Sequence, residues 1–289
     1  MLAIVYLNGA YKNKNEATIS VSDRGFLFGD SVYDSTAVID GKLIDFDKHF
    51  NNISHAMEEL HYVKKIKKEE FIEFHRQLIK KNKIVNGLVY CQVSRGTQEF
   101  RDFNFTKADG ATVFAFGYEQ TKSDQKEIAD GIKICIKDDL RWKMTSLKTT
   151  QLLYQTLARS ESATMGYDDA WMIDEQGCIT EGTSSNAWII IKNTLITRDA
   201  SGSIYNGSTK QNIEKIAVNL GLKVESRPFT LDEIFQCDEA FSTSIKHLLT
   251  PVISFNGVDV KNGRPGKITS KLREEYKNYR EQLLRCNGC

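Results

Sequence analysis

The 289-residue chain has no Cys-x-x-Cys pair, no long apolar run, no excess of one charge and no internal repeat or low-complexity tract. Its six cysteines, Cys91, Cys135, Cys178, Cys237, Cys286 and Cys289, are widely dispersed. That spacing argues against a disulfide framework or a zinc site and for reduced thiols in a cytoplasm. The tail pair Cys286 and Cys289 reads as part of a frayed terminus. No stretch approaches the roughly 20 apolar residues of a membrane helix. The opening MLAIVYLNGAYK is apolar at first but has neither a basic n-region nor a small-residue cleavage site. The expectation is a cytoplasmic protein with no membrane partner. Lys+Arg number 39 against 38 Asp+Glu, a net charge of +1, so the basic excess usual in nucleic-acid binders is missing and no nucleic-acid partner is expected. The densest basic run, residues 64–68, is followed at once by Glu69 and Glu70 and reads as a solvated helix end. What remains is ordinary globular composition, 40% hydrophobic and 27% charged, in a chain long enough for one large domain or two modest ones.

The pattern along the chain predicts an α+β fold in two parts. Residues 4–7 read as a strand ended by Asn8-Gly9, and Asp40-Gly41 between Val38-Ile39 and Leu43-Ile44 signals a hairpin. Apolar residues recur at helical spacing over 48–60 (Phe50, Ile53, Met57, Leu60) and over 69–82 (Phe71, Ile72, Phe74, Leu78, Ile79). Strand-like runs follow at 87–94 and 111–118, completing a small α+β domain over 1–118. The polar segment 119–125, EQTKSDQ, reads as a linker. Beyond it, 126–289 reads as a larger α+β domain. Strands are expected at 132–136, 169–173, 186–191 and 240–244, and helices at 149–166 (closed by Gly166), 210–221 and 268–285. Small ligands commonly bind in the cleft between two such domains.

Three local patterns carry chemistry. Lys148 stands just ahead of the helix predicted from residue 149; a lysine becomes a nucleophile when desolvation or a nearby cation frees its amine. By itself the position is also compatible with an ordinary surface lysine. Glu181, in ITEGTSSNAW, lies between two strand-like runs, where glycine and three hydroxyl residues make a tight turn; composition alone equally fits an exposed loop. Gly207, Ser208, Thr209 and Lys210 open a helix, where glycine permits close approach and free N–H groups face an anion. The same GSTK also fits plain helix capping, and it lacks the full pattern of a nucleoside-triphosphate loop.

Five ordered stretches give these residues a context: DRGFLFGDSVYD (23–34), QVSRG (92–96), DLRWKMTSLK (139–148), DAWMIDEQGCITEGTSSNAW (169–188) and FSTSIKHLLTPV (241–252). Together they resemble the fold-type IV pyridoxal-phosphate enzymes, most closely the bacterial D-amino-acid aminotransferases, over residues 6–271. The resemblance implies two α+β domains with pyridoxal 5′-phosphate in the cleft between them, in a homodimer that completes each site. It implies that Lys148 is the Schiff-base lysine. Glu181 is then the carboxylate that pairs with the pyridine nitrogen, keeping it protonated so that the ring draws electrons from the substrate α-carbon. Gly207, Ser208 and Thr209 match phosphate-holding positions, and Tyr205 matches a residue that packs on the ring. On the substrate side, Tyr33 matches a carboxylate-binding tyrosine. Arg101 matches the arginine of an R-x-H loop lent by the partner subunit if one extra residue follows Gly96, and Phe103 then stands in the histidine position.

Two places depart from the family pattern. Where the first-domain helix usually reads H-x-x-R-L, this chain has His49-Phe50-Asn51-Asn52-Ile53, so Asn52 replaces a phosphate-gripping arginine. In the late SxTS-type turn, Ser244 is followed by Ile245 where a threonine hydroxyl is often found. Lys210 and Lys246 are candidates for the missing charge. The leading expectation is a transaminase exchanging amino groups between D-alanine or D-glutamate and 2-oxo acids. An aminodeoxychorismate lyase would use the same lysine. A branched-chain L-amino-acid transaminase is the third reading, although Tyr90-Cys91-Gln92 stands where its Tyr-x-Arg signature belongs. A catalytically idle binding protein is the reading outside enzymes, against which the joint presence of Lys148 and Glu181 argues.

Overall fold

A computed structural model describes residues 3–105, 110–120, 129–200 and 202–286. The chain divides into two compact units, Met1–Gln120 with Leu147–Gln151 and Thr121–Ser146 with Leu152–Cys289.

The first unit is built on strands β1 (Ile4–Leu7), β2 (Ala10–Asn13), β3 (Ser31–Ile39), β4 (Lys42–Leu43), β5 (Gly87–Ser94) and β6 (Thr112–Glu119), with helices α1 (Arg24–Phe28), α2 (Phe46–Glu59) and α3 (Lys68–Asn82). The strands form one antiparallel sheet in the order β2-β1-β6-β5-β3-β4. The Asp40-Gly41 turn closes β3 on β4 with positive φ at both residues, 48° and 72°, as a tight hairpin requires. Alternation sorts the sheet's side chains. Val89, Cys91 and Val93 of β5 join Phe46 and Ile53 of α2 and Phe71, Phe74 and Leu78 of α3 in one buried core. The other face carries an aromatic row. Tyr33 stacks on Tyr90 at 5.5 Å between centroids, and Tyr90 meets Phe116 at 5.1 Å.

The second unit contains β7 (Ile132–Asp138), α4 (Leu153–Thr164), β8 (Asp169–Ile173), β9 (Ile179–Gly182), β10 (Asn186–Ile191), β11 (Thr194–Thr197), α5 (Ser208–Asn219), β12 (Lys223–Ser226), α6 (Leu231–Gln236), β13 (Glu239–Ser244), β14 (Leu248–Phe255), β15 (Val258–Asp259) and α7 (Lys267–Cys286). Its mixed sheet runs β12-β11-β10-β13-β14-β7-β8-β9, with β15 on β14. Both faces are buried. On β10, Ala187 and Ile189 enter a core with Trp171, Phe229 and Phe255, while Trp188 and Ile190 enter a second core with Phe241, Leu272 and Tyr276. Full burial of a residue such as Phe241 or Phe255 stabilises by roughly 1.5–3 kcal/mol, so the strands between these cores are held from both faces. No described helix is long and apolar enough to cross a membrane.

Two sequence expectations are corrected here. The helix expected over 149–166 begins only at Leu153. Thr149 instead bridges to Val32, and the Thr150 N–H donates to the Ser31 carbonyl at 3.0 Å. Pairing of Thr149 and Thr150 with β3 therefore overrides helical periodicity at the start of the segment. At the far end Met165 is the cap, and Gly166 follows it at φ 84°. The same pairing corrects the domain assignment, for Lys148 belongs to the first unit although the second domain was expected over 126–289. Of the linker expected at 119–125, Glu119 ends β6, Gln120 follows it, and 121–125 lie outside the described residues. Four cysteines, Cys91, Cys135, Cys178 and Cys237, are free thiols; Cys289 lies outside the described residues.

Candidate active site

In the first unit the structure brings Lys148 and Tyr33 together. The Tyr33 N–H donates to the Lys148 carbonyl at 2.9 Å, and Lys148 Nζ lies over the Tyr33 ring, 5.0 Å from its centroid. The backbone bond and the Thr149–Val32 bridge splice residues 147–151 onto β3, which fixes where the half-buried lysine stands. Behind Tyr33, on the core face of the same strand, the buried Asp34 carboxylate meets His49 Nδ1 at 2.8 Å. Burial alone would raise the Asp34 carboxyl; His49 and the positive charge of Lys148 instead hold it below the ordinary carboxylate range.

Arg101 and Phe103 lie in the same unit on an exposed loop. The Arg101 guanidinium carbon sits 4.8 Å from the Phe28 centroid and 5.4 Å from that of Phe103. Asn52 is half-exposed on α2, one turn beyond His49.

In the second unit Glu181 lies on β9, 6% exposed. The loop reading of this segment is corrected by its partners. The segment looks polar, yet Trp171 and Ile173 of β8 pair with it, and its polar groups are met internally. Arg141 Nη1 donates to Glu181 Oε1, Asn186 Nδ2 donates to Oε2 at 3.1 Å, and the Tyr205 N–H donates to Oε2 at 3.3 Å. Arg141 is shared. Its Nε and Nη2 donate to the two Asp139 oxygens at 2.9 and 2.7 Å, and the Thr180 hydroxyl donates to Asp139 Oδ2 at 2.7 Å. Burial pushes the Glu181 carboxyl up to about 7, against the opposing pull of Arg141 and the Tyr205 N–H. Asp139, held by two guanidinium bonds, is lowered despite its burial.

Asn186 ties the rest of this half together. Its amide also donates to the Tyr205 carbonyl at 2.7 Å, and a Cβ at Gly207 would stand 2.6 Å from Asn186 Oδ1, so glycine is required there. Gly207 precedes α5 with no side-chain cap, leaving the first-turn N–H groups of Ser208 and Thr209 as orphan donors. Both residues are buried, and the Thr209 hydroxyl accepts from Tyr276 at 3.4 Å. Across the β10–β13 ladder Asn186 faces Thr243, which brings the end of β13 alongside. There the Ser244 hydroxyl accepts from the His247 N–H at 3.1 Å, and Ile245 is half-buried.

Comparison with known proteins places this arrangement. The Amino-transferase class IV family matches residues 31–255. The D-alanine aminotransferase of Staphylococcus aureus strain MSSA476 is 30% identical over 278 residues, covering 96% of this chain and 98% of that protein. The chain belongs to the class IV aminotransferases. Among solved structures, the Escherichia coli branched-chain amino acid aminotransferase superposes with a TM-score of 0.91 at 20% identity, covering 97% of this chain and 95% of that one. A putative 4-amino-4-deoxychorismate lyase from Legionella pneumophila gives 0.83 at 19%, covering 92% and 96%. Identities that low show the fold alone, and the fold is shared by transaminases and lyases.

Class IV aminotransferases use pyridoxal 5′-phosphate, and the second unit fits that group on three counts. A buried carboxyl raised by burial is suited to a cationic ring nitrogen. The uncapped start of α5 is suited to a phosphate dianion. Ser185 Oγ is buried with no hydrogen-bond partner among the described residues, as expected of a hydroxyl awaiting a polar ligand. Lys210, a candidate to replace the missing phosphate arginine, is buried with its ammonium 2.6 Å from Glu214 and over Trp188, so its charge is already matched. Lys246 is exposed. Sequence reasoning missed Asp139, Arg141 and Asn186, although all three fall inside stretches that carried the resemblance. The Asp-x-Arg spacing ahead of Lys148 was the available signal, since two opposite charges beside an apolar strand are rarely left unpaired.

Proposed function

We propose that this chain is a D-amino-acid transaminase of the D-alanine type, exchanging the amino group of D-alanine or D-glutamate with a 2-oxo acid. What carries the reading is the apposition of Tyr33 and Lys148 in a chain that matches D-alanine aminotransferases nearly end to end. Lys148 is the residue to which the cofactor attaches. With cofactor and substrate in place, the Lys148 Nζ would be the base that takes the substrate Cα proton and gives it back. Bound pyridoxal phosphate supplies the electron sink for the substrate carbanion. Glu181 holds the proton on the ring nitrogen, and Arg141 and Asn186 orient Glu181. The Ser208 and Thr209 N–H groups hold the phosphate, with Gly207 allowing the approach. Tyr205 packs on the ring, Ser244 and Ile245 line the phosphate end, and Asn52 faces it without an arginine's fork. Tyr33 and Arg101 receive the substrate carboxylate. The protein works as a cytoplasmic homodimer in which the Arg101 loop of each subunit serves the other's site; the four unpaired cysteines fit that compartment.

The L-specific reading calls for an arginine where Gln92 stands. There the Gln92 amide accepts from the Tyr90 hydroxyl at 2.8 Å and donates to Ser31 Oγ at 3.1 Å, a neutral and satisfied arrangement. The test is a half-reaction followed by absorbance on the purified, cofactor-loaded protein. D-alanine is expected to convert the bound cofactor, and L-alanine and L-leucine hardly at all. Conversion by L-leucine and not D-alanine would replace this reading with the branched-chain one, and release of pyruvate from an aminodeoxychorismate without amino transfer would replace it with the lyase.

A further inference from the structure

Three arginines crowd the loop around Arg101, and among the described residues two of them, Arg24 and Arg95, are matched by a carboxylate. Asp30 accepts from Arg24 Nε and from Arg95 Nε, both at 2.8 Å. The Asp102 carboxylate is turned to the Asn104 N–H at 3.0 Å. Arg101 makes no ion pair or hydrogen bond to any other described residue, and its guanidinium meets only rings, those of Phe28 and Phe103. Those rings lie 5.6 Å apart at a tilt of 46°.

The loop that carries Arg101 is held in place from beneath. Arg24, 5% exposed, donates from Nη1 to the Gln98 side chain and to the Asp102 carbonyl at 2.7 Å, and from Nη2 to the Phe103 carbonyl at 3.2 Å. Its guanidinium also lies 4.6 Å from the Phe28 centroid. Phe28 thus takes two guanidinium groups, one anchored and one open.

We propose that Phe28 and Phe103, anchored through Arg24, form an aromatic slot that orients the Arg101 guanidinium for the carboxylate of the amino acid and of the 2-oxo acid. The inference rests on the reading above, in which Arg101 receives that carboxylate. A guanidinium held by the faces of rings keeps its edge N–H groups for a bidentate carboxylate, which then replaces water on them. Phe28, Phe103 and Arg24 are then positioning residues, which act through Arg101 and touch no reacting atom. A ring in place of a titratable imidazole at Phe103 also removes a proton-dependent donor from the slot.

The experiment is steady-state kinetics of the loaded enzyme with D-alanine and 2-oxoglutarate. Each of Phe28→Leu and Phe103→Leu is expected to raise KM for both substrates about three- to fivefold, the factor an exposed cation–π contact supplies, with kcat nearly unchanged. Phe28→Tyr, which keeps the ring face, is expected to restore the wild-type KM. Arg101→Lys keeps the charge without the planar fork and is expected to raise KM as far as Arg101→Ala does. Phe103→His is expected to make KM fall as pH drops below about 6.5, where imidazole gains its proton. Unchanged KM in both leucine variants, with a raised KM in Arg101→Ala, would overturn the slot and leave the carboxylate reading standing. Unchanged KM in Arg101→Ala as well would overturn both. Phe103 is 77% exposed, so Phe103→Leu decides the matter even if Phe28→Leu does not fold.

Discussion

Each unit of this protein holds a buried carboxyl bonded to a nitrogen-bearing side chain, Asp34 to His49 and Glu181 to Arg141, and these two carboxyls respond in opposite directions. Asp34 in the first unit is 4% exposed, with His49 Nδ1 at 2.8 Å and the Ser35 N–H at 2.5 Å, and it is held below its ordinary range. Glu181 in the second unit is 6% exposed and bonded to a guanidinium, an amide and a backbone N–H, yet burial raises it to about 7. The difference lies in how the cation is shared. Arg141 directs Nε and Nη2 at Asp139 and leaves Nη1 for Glu181. Asp34 is a closed pair, while Glu181 remains short of positive charge. A buried carboxyl in that condition is where a cationic ligand gains most, as the role proposed for Glu181 toward a protonated ring nitrogen requires.

The largest effect should come from removing the shared cation. Arg141→Leu leaves Asp139 and Glu181 buried without it, and a loss of about 3–5 kcal/mol in unfolding free energy is expected by urea denaturation. A loss below about 1 kcal/mol, the range of surface ion pairs, would mean that water reaches this cluster. Next, Glu181→Gln should load cofactor but turn over about a hundredfold more slowly, because a neutral amide holds no proton on the ring. Near-normal turnover would show that another group does so. Asp34→Asn, on the other side of the comparison, should leave turnover much closer to wild type.

The pH dependence of stability sharpens the contrast. Between about 4.5 and 7 the unfolded chain ionises Glu181 while the folded chain keeps it protonated, so its contribution weakens as pH rises through that window. Asp34 has a lowered carboxyl, so its contribution is complete above the ordinary value of 3.8 and is lost as pH falls below it. In the cofactor-free protein, the stability difference between wild type and Glu181→Gln should therefore fall from pH 4.5 to 7. The difference between wild type and Asp34→Asn should be flat there and decline only in acid. Two flat profiles above pH 4.5 would make the carboxyls alike. The smallest effect is expected at Asn52→Arg, which should tighten cofactor retention about tenfold through a charge-assisted fork. Titration of pyridoxal phosphate into dialysed protein measures it, and no change would make Asn52 an ordinary helix-surface residue.

Much of this was legible in the sequence where local physics decides. The Asp40-Gly41 hairpin, the strand Gly87–Ser94 and helix α3 sit within a residue or two of their pattern, because turn chemistry and apolar periodicity act over a few residues. Of the site residues read from the sequence, Lys148 and Tyr33 meet in the first unit, and Glu181, Tyr205 and Gly207 gather around Asn186 in the second. What failed was whatever tertiary pairing controls. Residues 149–152 have helical spacing, but Thr149 and Thr150 are drawn onto β3, and Lys148 falls in the first unit. Residues 179–182 read as a loop because Thr180 and Glu181 are polar, and only the partners Asp139 and Arg141, some forty residues upstream, make them a buried strand. The ring slot at Arg101 was invisible because α1 and the loop it holds are far apart in the chain.

The most direct test of the account is to reduce the pyridoxal-phosphate-loaded protein with borohydride, digest it and map the fixed phosphopyridoxyl group by mass spectrometry. The label is expected on the peptide that contains Lys148, and Lys148→Ala should carry none and show no transamination. Recovery of the label on any other lysine would contradict the account at its centre.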